Sequence, residues 1–541
     1  MSICLVEYRT RRFSHSLAAN TNMYCGDETG SFVGDVGSHT SRFGYGGEDC
    51  PKYVVPSYVA RNKSPDDRAR RSPVPNAPHH PRWAEAELAS ALRQARTDDN
   101  SHQPLVDPVA YLAQGDSVQD WDAYEQLWQS AFDVMHVRER YKHTKGGGNV
   151  RKEKNSNSII ASDNTAIGAS GVTSTTIRDT ISQDSRIVHP VLASTPGCTY
   201  SVGVGAKAMA SARRRDLVHR VECLMESLDC PAAFLAPTPM LSAFAYGRQT
   251  ALVVDVGAGG CVATPVVDGL LLTQAQRRNG RGGDWLGNVT WQALLEQRTI
   301  VRPRYQQHAS FKPDESAAKN GIFHRWAMQD LMYEFRTSGN VAVPAWWYDE
   351  TVPFCKSPAT EAGDEIVIDP ISPGGSESIT YELPDGTLVD LTNRVGRDLC
   401  RVPELLFTDQ VPFVSADQIS NSSVLMEHES LTNLPLHKLV HESLAAVGDV
   451  DVRKDLAANI VLTGASSLLP NMEQRLSLET SRMTSSAYKC KVLASRHAVE
   501  RSCAAWIGGS ILSSLGSFQQ LWLSRTEYEE YGATLAIQRF P

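Results

Sequence analysis

The chain has 541 residues, 41% hydrophobic and 21% charged, with 61 acidic side chains against 53 basic ones for a net charge of −8. That length buries more than one core, and the acidic balance excludes a surface that attracts nucleic acid everywhere, so any DNA contact needs a local patch or a partner protein. No apolar run reaches the roughly 18 residues that span a bilayer, which gives no expectation of a membrane partner, and the 11 scattered cysteines, without CxxC pairs, read as free thiols and not as disulfides or a zinc site.

Residues 1–23 carry Arg9, Arg11 and Arg12 with few acids and read as a disordered tail, or as sequence upstream of a start at Met23. Residues 31–60 read as strands and turns, with Phe32-Val33, Phe43-Gly44-Tyr45 and Val54-Val55 as their apolar centres. The stretch 61–81, rich in Pro, Arg and Ser, buries too little apolar area to order itself. Trp83 to Gln94 is helix-like. Asp120 is a candidate N-cap for an amphipathic helix whose apolar stripe is Tyr124, Leu127, Trp128, Ala131 and Phe132. Residues 142–186, rich in Ser, Thr, Gly and Asn, form a second insertion expected to be disordered. Strand pattern resumes at Val188 to Leu192, a helix follows from Arg213 to Leu228, and Gly282 to Leu286 opens another.

The most informative feature is a pair of hydrophobic strands, far apart in the chain, that each end in Asp-x-Gly. The first ends in Asp35-Val36-Gly37-Ser38 and the second in Asp255-Val256-Gly257-Ala258-Gly259. Such a turn presents N–H groups to a phosphate and a carboxylate to the phosphate's metal ion. One Asp-x-Gly is common in ordinary turns; two imply similar half-domains closing on one nucleotide. A third glycine loop, Val461 to Ser467, contributes Gly464 and Ser466. Other chemistry finds no motif: there is no HExxH and no Gly-x-Ser-x-Gly, and Lys145 to Gly148 lacks the Gly-Lys-Ser/Thr ending of a P-loop.

The C-terminal stretches Trp506 to Trp522 and Ser524 to Glu530 closely resemble the end of actin. The first loop, from Gly26 through Asp35-Val36-Gly37-Ser38-His39-Thr40 to Lys52, resembles the nuclear actin-related protein 4 subfamily, which includes the actin-like subunit of the BAF chromatin remodellers. The resemblance covers most of 24–541 and blurs in 57–112 and 300–430. It implies an α/β, actin-like two-lobed fold, made of duplicated ribonuclease-H-like domains in four subdomains around a nucleotide cleft. The implied division is 24–56, 113–245 and 504–541 for subdomain 1, 57–112 for subdomain 2, 246–281 and 433–503 for subdomain 3, and 282–432 for subdomain 4.

The resemblance also assigns roles. Asp35, Gly37, Ser38, His39, Arg42, Asp255, Gly257, Gly259, Gly464 and Ser466 become nucleotide-binding candidates, with Asp35 and Asp255 facing Mg²⁺ through water. Arg42 falls where actin has a phosphate-touching Lys, and His39 replaces a Gly and is expected to crowd the terminal phosphate. Two positions are lost: Thr238 stands where actin has the glutamine that orients the attacking water, and Ala258 where it has a second Asp. Ala465 replaces a Gly, and Ser502 a Lys that flanks adenine. Hydrolysis in such a site is positioning plus electrostatics, so these losses predict weak or absent ATPase activity, with ATP and Mg, where bound, acting structurally. The implied role is a scaffold subunit of nuclear chromatin-remodelling or histone-acetyltransferase complexes. Its implied partners are conventional actin, a long helix of a remodeller or acetyltransferase scaffold and, indirectly, histones or DNA. The alternatives are a divergent cytoskeletal actin-like ATPase that polymerises, and a degenerate actin-like protein with a role of its own. The basic stretches Arg68 to Arg71 and Arg151 to Lys154 read as import or DNA-contact signals or as solvated linker charge, and Trp346-Trp347-Tyr348 as a packed or partner-covered patch.

Overall fold

The computed structural model describes residues 30–62, 71–73, 106–110, 118–140, 185–197, 206–303, 322–343, 380–408 and 434–540, apart from short gaps at 119, 136, 188, 297–298, 300, 339, 392–395, 397–398 and 486–487. The expected tail 1–23, the helix-like 83–94, the basic stretches apart from Arg71, and the Trp346 to Tyr348 patch lie outside the described residues.

Two sheets organise the chain. In the first, β1 (Phe32–Val36), β2 (Thr40–Tyr45) and β3 (Tyr53–Pro56) form an antiparallel meander; β4 (Val191–Thr195) runs parallel to β1 and β5 (Ala232–Pro237) parallel to β4. In the second, β6 (Ala251–Val256), β7 (Cys261–Val267) and β8 (Leu270–Leu271) form the meander; β10 (Ile460–Thr463) runs parallel to β6 and β11 (Val492–Leu493) parallel to β10. Strand β9 (Arg277–Asn279) pairs with β7, and β12 (Leu523–Ser524) extends the first sheet beyond β5. The spatial order 3-2-1-4-5 and the sense of every pairing are therefore the same in both sheets. In each lobe the first strand carries the Asp of an Asp-x-Gly turn as its penultimate residue. The duplication expected from two short segments is a duplication of topology.

Each sheet has its own core. Helix α1 (Trp121–Val134) lays Tyr124, Leu127, Trp128, Ala131 and Phe132 on the first sheet, and Asp120 caps it by accepting from the Ala123 N–H at 3.0 Å. The expected stripe and cap are both present. Helix α2 (Ala206–Glu222) continues through a π turn at Cys223–Ser227 into β5, and α3 (Thr238–Ala245) follows at once. Helix α4 (Gly283–Glu296) starts where Gly282-Gly283 predicts, and α5 (Ile322–Thr337) packs beside it. Helices α6 (Leu436–Ala445), α7 (Val450–Ala458) and α8 (Met472–Met483) complete the second lobe. There Arg475 of α8 is fully buried and forks onto Glu404 at 2.9 and 3.0 Å, while its Nε donates to Glu479 at 2.8 Å. The ring of Phe407 lies under the same guanidinium at 5.2 Å.

Two expectations of disorder need correction at their edges. Within 61–81, Arg61 and Asn62 end a strand, Tyr58–Asn62, that pairs antiparallel with both Arg71–Pro73 and Val106–Ala110. Pro73 sits on an edge strand, where its missing N–H costs no ladder bond. Within 142–186, Ser185 and Arg186 belong to a strand, Ser185–Ile187, that pairs with Arg138–Arg140. The insertion thus leaves and re-enters the lobe through a two-stranded stem, so its length adds only a slowly growing closure entropy.

The lobes meet at their base, where α10 (Ala504–Ser513), which follows the short α9 (Ala498–Ser502), crosses α3. A Cβ on Gly508 would drive into the carbonyl of Leu241, and one on Gly509 would lie 2.9 Å from Val33 Cγ1. Helix α10 also carries Trp506, fully buried, whose indole N–H donates to the Val33 carbonyl at 3.1 Å. Because the obstacle at Gly508 is backbone, Gly508→Val is expected to lower stability by about 1–3 kcal/mol, the usual cost of overpacking, read as a drop in the midpoint of chemical unfolding.

Candidate functional site: a cleft between two glycine loops

The loops after β1 and β6 face each other across a cleft of about 340 Å³. All ten nucleotide-binding candidates line it, as do Thr238, Ala258, Ala465 and Ser502. Residues from three distant segments therefore converge on one place. The two loops nearly touch: a Cβ on Gly259 would sit 3.1 Å from Ser38 Oγ. The third loop is tied to the second, since Ser466 Oγ donates to the Gly257 carbonyl at 3.3 Å and the Gly283 N–H donates to the same oxygen at 2.9 Å. Gly464 adopts φ +95, in the left-handed region, and a Cβ there would collide with Asp255 Oδ1 and the Val256 carbonyl, so the close approach of the third loop to Asp255 depends on glycine.

The two Asp-x-Gly carboxylates have different ladder neighbours. Asp35 Oδ1 accepts from Ser194 Oγ at 2.7 Å, and Oδ2 from Arg42 at 3.2 Å; Arg42 stands directly opposite Asp35 in the β1–β2 ladder. The Asp35 charge is thus balanced inside the lobe. In the β6–β7 ladder, Asp255 stands opposite Val262. Ala258 offers a methyl group where a second carboxylate was expected. The hydroxyl of Thr238, at the start of α3, donates to the Thr195 carbonyl at 3.1 Å, which commits it to the β4–β5 junction.

His39 does not simply fill the space above the loop. Its ring reaches across the cleft and stacks on Tyr333 of α5, with centroids 5.5 Å apart, and its Nδ1 lies 3.9 Å from Asp284 Oδ1 of α4. Burial holds its pKa below the usual histidine value, with Asp284 opposing and Arg336 and Arg42 assisting. The imidazole is therefore neutral at physiological pH and bridges the lobes by stacking. Arg336, one turn on from Tyr333, lines the same wall and donates to the Gly283 carbonyl.

Tyr333, Asp284, Arg336 and Ser194 are site residues that sequence reading missed. Asp284 lies inside the helix start that was recognised, two residues after Gly282. Tyr333 and Arg336 share one face of a helix in the most divergent region, and no local pattern marks them.

A nucleotide's phosphates fit the backbone of this cleft. Among the described residues, the N–H groups of Ala258 and Gly259 donate to no protein acceptor although both line the cleft, and loops with such free donors bind anions. A divalent cation fits less well. Mg²⁺ is held through carboxylates and waters, and among the described residues no three His, Cys, Asp or Glu side chains gather as a metal cage.

Two lobes of one topology, closing glycine loops on a shared cleft, define a duplicated, two-lobed α/β protein. Comparison with known sequences specifies the class: the actin family model matches residues 26–541, and the chain belongs to the actin family. It is similar to proteins named actin-related protein 4. That of Oryza sativa subsp. indica is 29% identical over 530 residues, covering 96% of this chain and all of the relative. That of Arabidopsis thaliana is 28% identical over 527 residues, with 96% and 100% covered. That of Schizosaccharomyces pombe is 26% identical over 526 residues, with 94% and 96% covered.

Proposed function

We propose that this chain is a nuclear actin-related scaffold subunit of chromatin-remodelling or histone-acetyltransferase complexes, in which a bound nucleotide holds the lobes together and is hydrolysed little or not at all. One observation carries the second half of this reading: the phosphate-facing backbone is intact while the positions that would drive hydrolysis are spent or missing. Thr238 donates its hydroxyl to Thr195, and Ala258 has no carboxylate. A ligand that binds only the closed fold stabilises it by mass action, so binding without turnover is a function in itself.

The similarity to proteins named actin-related protein 4 supports the first half. The base of the molecule suits an elongated partner. Ile511 near the end of α10 and Leu515 just beyond it are 43% and 42% exposed. Such a pair offers an apolar seat for the face of a long helix. Conventional actin and a scaffold helix are the partners this reading names, with histones or DNA reached through them.

Affinity capture of the tagged chain from nuclear extract tests the assembly. Conventional actin is expected to co-purify with a remodeller ATPase or acetyltransferase scaffold. Capture of cytoplasmic actin-binding proteins alone, together with a pellet on sedimentation in Mg-ATP, would overturn it in favour of a polymerising cytoskeletal ATPase.

A further inference from the structure

Arg336 is a buried cation in want of an anion. Its residue is 8% exposed, and among the described residues its one hydrogen bond goes to a neutral carbonyl, that of Gly283. Among the described residues no carboxylate comes within ion-pair distance of it; Asp284 acts on it only from farther away. Burial pushes its pKa down to about 10, with Asp284 and Tyr333 opposing. A cation in that state costs free energy unless something negative joins it.

Its position says what could join it. The point that a Cβ on Gly283 would occupy is 3.7 Å from Arg336 Nη2, 3.5 Å from Ala258 Cα and 2.7 Å from Ser466 Oγ. The guanidinium therefore stands where the second glycine loop and the third loop meet, near Ala258, whose N–H donates to no protein acceptor among the described residues. The opposite wall points the same way. The Asp35 carboxylate is engaged by Arg42 and Ser194, Ala258 carries no charge, and a dication placed near Arg336 would be repelled by it.

We propose that Arg336 supplies the positive charge for a nucleotide's polyphosphate, so that this cleft holds ATP without a divalent metal ion. This rests on the reading of the cleft as a nucleotide site. A planar guanidinium offers several donors to phosphate oxygens at once, and unlike a metal ion it cannot dissociate.

The test uses the full-length purified chain and a fluorescent ATP analogue competed by ATP, with and without Mg²⁺, the latter in excess EDTA. Wild type is expected to bind ATP within a few-fold equally in both buffers. Arg336→Gln should weaken ATP binding in EDTA by about 10–100-fold, the value of one or two hydrogen bonds to a charged group, and Arg336→Lys should lose less. Adenosine, which has no phosphate, should bind wild type and both variants alike, which reports an intact cleft. Binding of ATP that needs Mg²⁺, or that is unchanged in Arg336→Gln, would overturn the assignment to Arg336 while leaving the nucleotide site standing. Failure of wild type to bind ATP in either buffer would overturn the nucleotide site itself, and the assignment with it.

Discussion

Incubated with Mg-ATP, the purified chain should release phosphate at least about 10²–10³-fold more slowly than conventional actin, the cost of losing one preorganised group from such a site. The structure adds a reason that residue identities alone do not provide. Thr238 is shorter than glutamine, and its hydroxyl is also turned to the Thr195 carbonyl. Ala258 lacks a carboxylate, and the remaining first-loop carboxylate, Asp35, is neutralised by Arg42 at 3.2 Å. Restoring one group should therefore do little: Ala258→Asp alone is expected to leave turnover near the wild-type level, whereas Thr238→Gln with Ala258→Asp should raise it. A single-turnover phosphate-release assay decides, and wild-type rates equal to those of conventional actin would end the reading of this cleft as a poor hydrolase.

Arg475→Ala is expected to cost about 3–5 kcal/mol of stability, because it strands the buried Glu404 and leaves Glu479 with only the half-exposed Arg482 at 3.5 Å. Glu404 and Glu479 both face Arg475, and both are almost completely buried. Burial pushes the Glu404 pKa up to about 7 even with Arg475 opposing it, and removing the arginine removes that opposition. A carboxyl raised above its unfolded value binds protons more readily in the folded state, so its contribution is full at low pH and lost as pH rises. In the variant the Glu404 pKa should lie above its wild-type position near 7, so the variant should regain stability as pH falls from above that value toward the ordinary carboxylate range. Replacing the whole cluster by apolar residues, with Arg475→Met, Glu404→Leu and Glu479→Met, should cost far less than the single change. Urea unfolding of the three proteins at two pH values provides the comparison, and a single variant as stable as wild type would show that the cluster contributes nothing.

The part of the site legible in the sequence is the part built from local patterns. A strand that stops at Asp-x-Gly is readable in eight residues, and both examples fall where the two sheets converge. The α1 stripe and its Asp120 cap are likewise local. The opposing wall was not legible: Tyr333 and Arg336 acquire meaning only from what faces them, His39 from the other lobe and Gly283 from the neighbouring helix. His39 itself was readable as a bulky residue in a loop that resembles one with glycine, but the direction of its ring was not. The pairing of Asp35 with Arg42 lay between these cases. Both residues were singled out, yet only the hairpin register, which sets them directly opposite each other, shows that one consumes the charge of the other. The insertions were legible by composition, while their strand-paired edges depend on partners up to about fifty residues away.

The crossing of α3 and α10 makes the base of the molecule the short arm of a lever. The same α10 that presses Gly508 onto Leu241 exposes Ile511, with Leu515 exposed just beyond its end, and α3 begins at Thr238 in the cleft wall. A small change of angle at this pivot moves the distant loops much farther than it moves the pivot itself. Whatever grips the outside of α10 and whatever fills the cleft therefore act on one shared coordinate. Thermodynamic linkage then requires that each alter the other's affinity by the same factor. On the proposed reading of this chain as a nucleotide-binding scaffold, a partner held at the base would sense what the cleft holds without touching it.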